Sequence, residues 1–199
     1  MRSLYDFIIK PIGFRYKNTK QIGDKELILN TGISNHQYVN REAKVLNTPI
    51  LVKTDIKTDD TVIVHHNIFR RWYNIKDVEK NSRSYINENT YAVKKDQIFL
   101  YKRNKKWYTP QDYCFVKPIK SYDKFSVDKE QPLVGIMKYT NGNLHNIKIG
   151  DLVGFTPNSK YEFIIDGERL YRVLTNSISI KYEYQGQEEE YNPSWLQSG

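Results

Sequence analysis

The chain has 199 residues, of which 39% are hydrophobic, 27% charged and 14% aromatic. This aromatic content excludes a wholly disordered chain, and the single cysteine, Cys114, excludes a disulfide framework or a multi-cysteine metal site. The net charge of +8 lies entirely in the first half: residues 1–118 hold 22 Lys and Arg against 12 Asp and Glu, and residues 119–199 hold 9 against 11.

Short runs of β-branched and aromatic residues, bounded by Asn, Asp, Gly or Pro, predict strands throughout the first half of the chain. The first run, Phe7–Pro11, is stopped by its proline. The other runs are residues 26–29, 43–46, 60–66, 90–93 and 96–101. Helix signals are nearly absent, so the sequence predicts an all-β fold.

The second half repeats this order of strands. Residues 113–118 end in the same Lys-Pro pair, and residues 150–155 correspond to residues 59–64. Asp166-Gly167 separates two further apolar runs, which is the strongest short signal for a hairpin. The remaining correspondences are 133–139 with 43–46, and 177–182 with 96–101. The chain is therefore predicted to contain two copies of one small, irregular β-barrel.

The repeat predicts three regions. Residues 1–108 form the first barrel, with a loop at 20–40 and an insertion at 67–89. Residues 109–184 form the second barrel, and residues 185–199 form an extended C-terminal arm whose Trp195 and Leu196 could dock on a neighbour.

The order of these motifs resembles that of GroES-like co-chaperonins. Domains of that family contain a hydrophobic-Val-Lys-Pro strand, then a Gly-Asp-x-Val-x-Phe strand, then an Asp-Gly-Glu-x-Leu hairpin. The similar residues here are 7–11 and 114–118, 59–64 (without the glycine) and 150–155, and 166–170. The resemblance covers about residues 4–183. It implies tandem GroES-like barrels in a homo-oligomer, and the richness in Asn, Lys, Ile and Tyr favours a phage-encoded member.

In that family a flexible loop with an aliphatic tripeptide follows the first strand and binds the chaperonin. The resemblance implies that Leu27, Ile28 and Leu29 form this partner-binding loop. The alternative is that they belong to an ordinary core strand. The run of residues 26–29 is too short for its alternation to distinguish a loop from a core strand. The second half has no such tripeptide, so we do not expect it to bind a chaperonin in this manner.

The insertion contains a second candidate interface, Arg70, Arg71, Trp72 and Tyr73. Arg, Trp and Tyr are the residue types most enriched at interface hot spots. The alternative is a surface hairpin whose tryptophan covers its own barrel. The resemblance implies no function for this segment, because the family has a tight turn in its place.

The densest basic cluster is Lys102, Arg103, Lys105 and Lys106, followed by Trp107. Basic residues beside aromatic ones can hold phosphates and stack bases, which would make this a nucleic-acid site. No helix-turn-helix, zinc-finger or RNP-type signature accompanies the cluster. We favour the simpler interpretation, a Lys-rich loop that joins two domains.

No residues predict catalysis, a cofactor or a metal site. His65 and His66 are adjacent on a predicted strand, where neighbouring side chains point to opposite faces. Cys114 lies in an apolar strand, where a thiol is buried and inert. No nucleophile elbow, phosphate-binding glycine loop or paired-carboxylate motif is present. We therefore expect a protein that is not an enzyme.

Three functions remain, in order of preference. The first is a co-chaperonin-like protein that binds and caps a chaperonin. The second is a virion structural protein, at a capsid-decorating, neck or tail position, whose partners are other viral structural proteins. The third and weakest is a basic nucleic-acid-binding module. No apolar run is long enough for a membrane span and no secretory signal is present, so we expect a protein of the cytoplasm or of a virion.

Overall fold

The computed structural model describes residues 2–16, 19–28, 38–110, 112–123, 129–157, 159–183, 186 and 188–193. The chain divides into two compact units, Met1–Lys106 and Trp107–Gly199. Within the described residues, every element is a strand apart from three short 3-10 turns. The prediction of an all-β fold is confirmed.

The described residues of unit 1 contain ten strands that lie wholly within its bounds. They are β1 (Phe7–Pro11), β2 (Thr19–Ile22), β3 (Lys25–Ile28), β4 (Glu42–Asn47), β5 (Thr61–Val64), β6 (Arg71–Tyr73), β7 (Glu79–Asn81), β8 (Tyr85–Asn87), β9 (Thr90–Val93) and β10 (Ile98–Arg103). Six of them lie in one antiparallel sheet in the order β10-β5-β4-β1-β9-β8, while β2–β3 and β6–β7 are separate hairpins. The 3-10 turns are η1 (His66–Ile68) and η2 (Lys95–Gln97).

Unit 2 follows β11 (Lys106–Tyr108), which spans the division between the units. Its strands are β12 (Tyr113–Lys120), β13 (Glu130–Tyr139), β14 (Leu152–Phe155), β15 (Tyr161–Ile165), β16 (Glu168–Leu174) and β17 (Ile178–Tyr182). They form one antiparallel sheet in the order β17-β14-β13-β12-β16-β15. The turn η3 (Thr175–Ser177) precedes β17, as η2 precedes β10.

The two sheets have the same strand order and the same register. β12, β13, β14, β15, β16 and β17 take the places of β1, β4, β5, β8, β9 and β10. Ile9 lies opposite Tyr91, and its counterpart Val116 lies opposite Tyr171. In both first strands the ladder to the next strand is irregular immediately before this residue. These agreements support the duplication that the sequence pattern predicts.

The turn before β5 in unit 1 and before β14 in unit 2 has a glycine in unit 2 only. Gly150 has φ of 93° and Asp59, at the same place in unit 1, has φ of 72°. Aspartate is among the few residues besides glycine that tolerate this left-handed conformation. The following residues, Asp60 and Asp151, each accept a hydrogen bond of 2.8 Å from the backbone N–H three residues earlier. The turn thus has the same geometry in both units although its sequence differs.

The two cores are built from corresponding positions. Alternate side chains of β4 and β9 are buried, as expected for strands with one face on a core. A cluster in unit 2 contains seven buried residues, and each corresponds to a buried residue of the unit 1 core. These residues are Cys114, Val116, Met137, Val153, Phe155, Tyr171 and Val173, corresponding to Phe7, Ile9, Val45, Val62, Val64, Tyr91 and Val93.

The Lys-Pro pair ends β1 but not β12, so the predicted stop is wrong in unit 2. β12 runs past Pro118 to Lys120, because the C-terminal segment 188–193 supplies partners for it. The Lys120 N–H donates to the carbonyl of Glu189 at 2.8 Å, and the Tyr191 N–H donates to the carbonyl of Pro118 at 2.9 Å. Part of the predicted C-terminal arm therefore pairs with its own unit, and the remainder, with Trp195 and Leu196, lies outside the described residues.

The sheets differ from the predicted barrels. Among the described residues, no pairing joins one end of either strand order to the other, so both sheets are open. The insertion predicted at residues 67–89 also has different bounds. β8 pairs with β9 as β15 pairs with β16, so β8 belongs to the sheet that both units share and not to an insertion. The segment that is longer in unit 1 is residues 65–84, between β5 and β8, where unit 2 has only residues 156–160.

Candidate functional site

The predicted partner-binding residues lie on the β2–β3 hairpin. Leu27 is in β3 opposite Lys20, and it is 51% exposed. Ile28 is the last residue of β3, and Leu29 lies outside the described residues. Leu27 is therefore in a strand, as one interpretation of the sequence has it, but it is not in the core.

The segment 65–84 forms a second hairpin, β6–β7, with apolar side chains around its tip. Trp72 lies opposite Lys80, and the tip is closed by the Asn74 side chain, which accepts hydrogen bonds from two backbone N–H groups. Ile75 is fully exposed, and Tyr73 is 56% exposed. The apolar side chains around the tip of this hairpin are thus exposed to solvent.

Arg15, outside the hairpin, holds the segment in place. Its side chain is 8% exposed and donates to the carbonyl of Phe69 at 3.3 Å and to Oδ1 of Asn81 at 2.8 Å. Its guanidinium also lies 5.3 Å from the ring of Tyr85, and it pairs with Glu88 at 3.4 Å. One buried cation thus connects the start of the extra segment to its end.

Tyr16 adds a second attachment. The Arg71 N–H donates to the Tyr16 hydroxyl at 2.7 Å, and the Arg71 guanidinium lies 5.2 Å from the same ring. Ile68 and Phe69 anchor the start of the segment in the core, with 1% and 0% of their surface exposed. The start of the segment is therefore attached to the core of unit 1, and Tyr16 attaches β6 to it.

A groove of about 780 Å³ lies beside this hairpin. Three of the four predicted interface residues line it, namely Arg70, Trp72 and Tyr73, together with Arg83 from the chain after β7. The fourth, Arg71, is not in the lining and forms an ion pair with Glu79 at 3.1 Å. Arg83 was not singled out by sequence reasoning, because only the pairing of β6 with β7 brings it close to Arg70.

The predicted basic patch is largely engaged within each unit. Arg103 donates to both carboxylate oxygens of Asp60, at 2.9 and 2.6 Å, and Asp60 is only 4% exposed. The Trp107 indole N–H donates to Asp166 at 2.8 Å, and Trp107 is 9% exposed. Lys105 and Lys106 are exposed, and Lys102 is half-buried. A buried indole has no face free for a base, so this cluster is a weaker nucleic-acid candidate than its sequence indicates.

Unit 2 contains a buried polar network that its sequence does not reveal. Arg169 donates to Glu162 at 3.0 Å and to Glu130 at 2.6 Å, and it also contacts the Tyr171 hydroxyl. Tyr171 donates to Glu130 at 2.8 Å, and Lys160 pairs with Glu130 at 3.0 Å. Each charge in the network has a partner of opposite sign.

The network sets the ionisation of its members. Burial disfavours the charged form of Glu130, but hydrogen bonds from Lys160, Tyr171 and Arg169 outweigh it and lower the pKa of Glu130 below its ordinary value of 4.5. Burial and the neighbouring carboxylate raise the pKa of Tyr171, so its hydroxyl stays protonated and donates. Elsewhere, Cys114 is buried as predicted, and burial raises the pKa of its thiol to about 12, which keeps it protonated near neutral pH.

We expect Glu130→Gln to make stability less dependent on pH. A carboxyl with a lowered folded pKa contributes stability above its unfolded pKa, and this contribution is lost as pH falls through the folded value. The variant should be less stable by about 2 kcal/mol near neutral pH and equal to the parent chain in acid below that pKa. Urea denaturation at both pH values measures this, and an equal deficit at both would contradict it.

His65 and His66 do not lie on a strand as predicted. β5 ends at Val64, and the two rings stack with centroids 4.3 Å apart instead of facing opposite sides. His65 Nδ1 accepts a hydrogen bond from the Asn67 N–H at 3.1 Å and caps η1. In the part of the chain that the structure describes, no group of three or more His, Cys, Asp or Glu residues could hold a metal ion.

Comparisons with known proteins identify no family. No family model matches the chain, and no curated protein matches it. Over the described ranges, no helix is both long and apolar enough to cross a membrane.

Proposed function

We propose that the chain is a co-chaperonin-like protein with two GroES-like units, in which unit 1 binds a chaperonin through the β2–β3 hairpin. Unit 2 acts as a second structural unit of the same lid. The proposal includes a homo-oligomer, because a lid must cover the mouth of a chamber.

One observation carries this proposal. The connection between the first two strands of the sheet covers residues 12–41 in unit 1, from β1 to β4, but only residues 121–129 in unit 2, from β12 to β13. By the sequence resemblance, the longer connection would correspond to the partner-binding loop of GroES-like domains. It carries Leu27 in a hairpin, half exposed to solvent, where an apolar groove of a partner can receive it.

Replacing Leu27, Ile28 and Leu29 with serine tests the proposal. We expect binding to a bacterial chaperonin in the presence of nucleotide to weaken at least tenfold, because the apolar contact of the hairpin is lost. The thermal midpoint should stay within a few degrees, since Leu27 is not in the core. Mass photometry of the chain, alone and with the chaperonin, measures both the oligomer and its binding.

A matched control is Leu51→Ser, which removes an apolar side chain of unit 1 that is 60% exposed and lies outside the hairpin. This variant should bind like the parent chain. If the parent chain does not bind the chaperonin at all, or if both variants bind equally well, the co-chaperonin proposal is wrong.

A second candidate, a virion structural protein, is favoured by the β6–β7 hairpin. Ile75 is fully exposed at its tip and Val78 is 49% exposed, while Arg15 holds the hairpin rigidly on unit 1. A fixed apolar projection suits permanent assembly with a neighbouring subunit. A chain that ignores the chaperonin but forms large assemblies that Ile75→Ser prevents would favour this candidate.

A further inference from the structure

We propose that the groove beside the β6–β7 hairpin binds single-stranded nucleic acid. In this proposal Arg70 and Arg83 hold phosphates, and Trp72 and Tyr73 stack on unpaired bases. The site is separate from the β2–β3 hairpin and does not depend on chaperonin binding.

The charge of the groove is unusual within its unit. Arg15, Arg71 and Arg103 each bind a carboxylate. Arg70 and Arg83, by contrast, have no hydrogen bond or ion pair with any described residue. The buried Nε of Arg70 has no acceptor, which is also true of the Nε of Arg71, so it is the absence of a carboxylate partner that sets the two groove arginines apart. Two unpaired guanidiniums in one concave surface favour an anionic ligand, and their planar form suits phosphate oxygens.

The aromatic side chains of the groove are available for stacking. Trp72 is 38% exposed and Tyr73 is 56% exposed, and neither ring packs on another ring of the described residues. In contrast, Tyr91 and Trp107 are buried. A base that stacks on such a ring contributes about 1–3 kcal/mol and requires no particular sequence.

The size of the groove and the charge of the unit agree with a nucleic acid. A volume of about 780 Å³ is within the range of sites that hold one small organic ligand, which leaves room for one or two nucleotides. Residues 1–106 hold 21 Lys and Arg against 11 Asp and Glu, a net charge of +10, and residues 107–199 hold 10 against 12. A field of this strength attracts a polyanion. Exposed rings then favour a single strand, whose bases are not already stacked in a duplex.

Fluorescence anisotropy with a labelled oligo(dT) of about 12 nucleotides tests this site. We expect the double variant Arg70→Gln, Arg83→Gln and the single variant Trp72→Ala each to weaken binding about tenfold. The double variant Lys105→Gln, Lys106→Gln removes the same charge from surface lysines outside the groove, and it should weaken binding no more than about threefold. A duplex of the same length should bind more weakly than the single strand.

Several results would overturn the proposal. It is wrong if the chain does not bind oligo(dT) at low salt. It is also wrong if the groove variants and the lysine variant lose the same affinity, because that would show attraction by net charge alone. Unchanged binding by Trp72→Ala would exclude stacking, and preferential binding of an acidic peptide would identify a protein partner instead. Arg83→Gln alone, at an exposed position, provides the measurement if the double variant does not fold. Chaperonin binding by the groove variants should equal that of the parent chain, so this site and the proposed function are tested separately.

Discussion

Arg169→Met is expected to destabilise unit 2 by about 3–5 kcal/mol, because it removes the buried cation that Glu162 and Glu130 share. Glu162 is 7% exposed and has Arg169 as its partner at 3.0 Å. Glu130 keeps Lys160 and Tyr171 after the change, so most of the loss should come from Glu162. Methionine preserves much of the side-chain volume, which separates the loss of charge from the opening of a cavity.

Urea denaturation of the purified chain measures this effect, with Lys160→Met as the control. Lys160 is a partner of Glu130 in the same network, but its side chain is 35% exposed. Lys160→Met should therefore lower the free energy of unfolding by no more than about 1 kcal/mol. Equal effects of the two variants would contradict the view that burial makes the Arg169 interaction strong.

Gly135→Ala is expected to destabilise the pairing of β12 with β13 by about 3 kcal/mol. A Cβ atom at this position would lie 2.5 Å from the carbonyl oxygen of Lys117, and that oxygen is part of the backbone and cannot rotate away. The two strands would have to separate, which disturbs packing around Met137. The midpoint of thermal unfolding should fall by several degrees.

Gly142→Ala is the control, since a Cβ there meets no atom within 4 Å and φ is not left-handed. This variant should have the stability of the parent chain or slightly more. The corresponding position of unit 1 to Gly135 is Ala43, which is fully buried and carries its Cβ in the core. If Gly135→Ala leaves the stability of the chain unchanged, the close approach of β12 and β13 does not require a glycine at position 135.

Local sequence signals predicted much of the fold. The Asp166-Gly167 pair has φ of 49° and 81° and joins β15 to β16 with Ile165 opposite Glu168, as a two-residue hairpin signal requires. The runs at residues 7–11 and 90–93 are strands at the predicted bounds. These features depend on residues close in sequence, so turn chemistry and strand propensity are sufficient to find them.

Contacts between distant residues could not be predicted in this way. Arg169 and Glu130 are 39 residues apart, and Arg15 and Asn81 are 66 apart. Such contacts can be predicted only if the order of strands in the sheet is known. The pattern of apolar residues within each strand does not determine that order. The sequence placed Arg70, Trp72 and Tyr73 in one candidate interface, but it could not add Arg83 to them for the same reason. The continuation of β12 past its proline likewise depended on the distant segment 188–193.

The two units have the same strand order, but two of the connections between strands are longer in unit 1 than in unit 2. Unit 1 has residues 12–41 where unit 2 has only 121–129, and it has residues 65–84 between β5 and β8 where unit 2 has only 156–160 between β14 and β15. Polymer theory gives an added loop-closure entropy of only about 1 kcal/mol for each extension, even if the added chain were flexible. Hydrogen bonds within the β2–β3 and β6–β7 hairpins oppose that small loss. A sheet of this topology can therefore lengthen at two of its connections with little thermodynamic penalty, while the order and register of its strands stay the same.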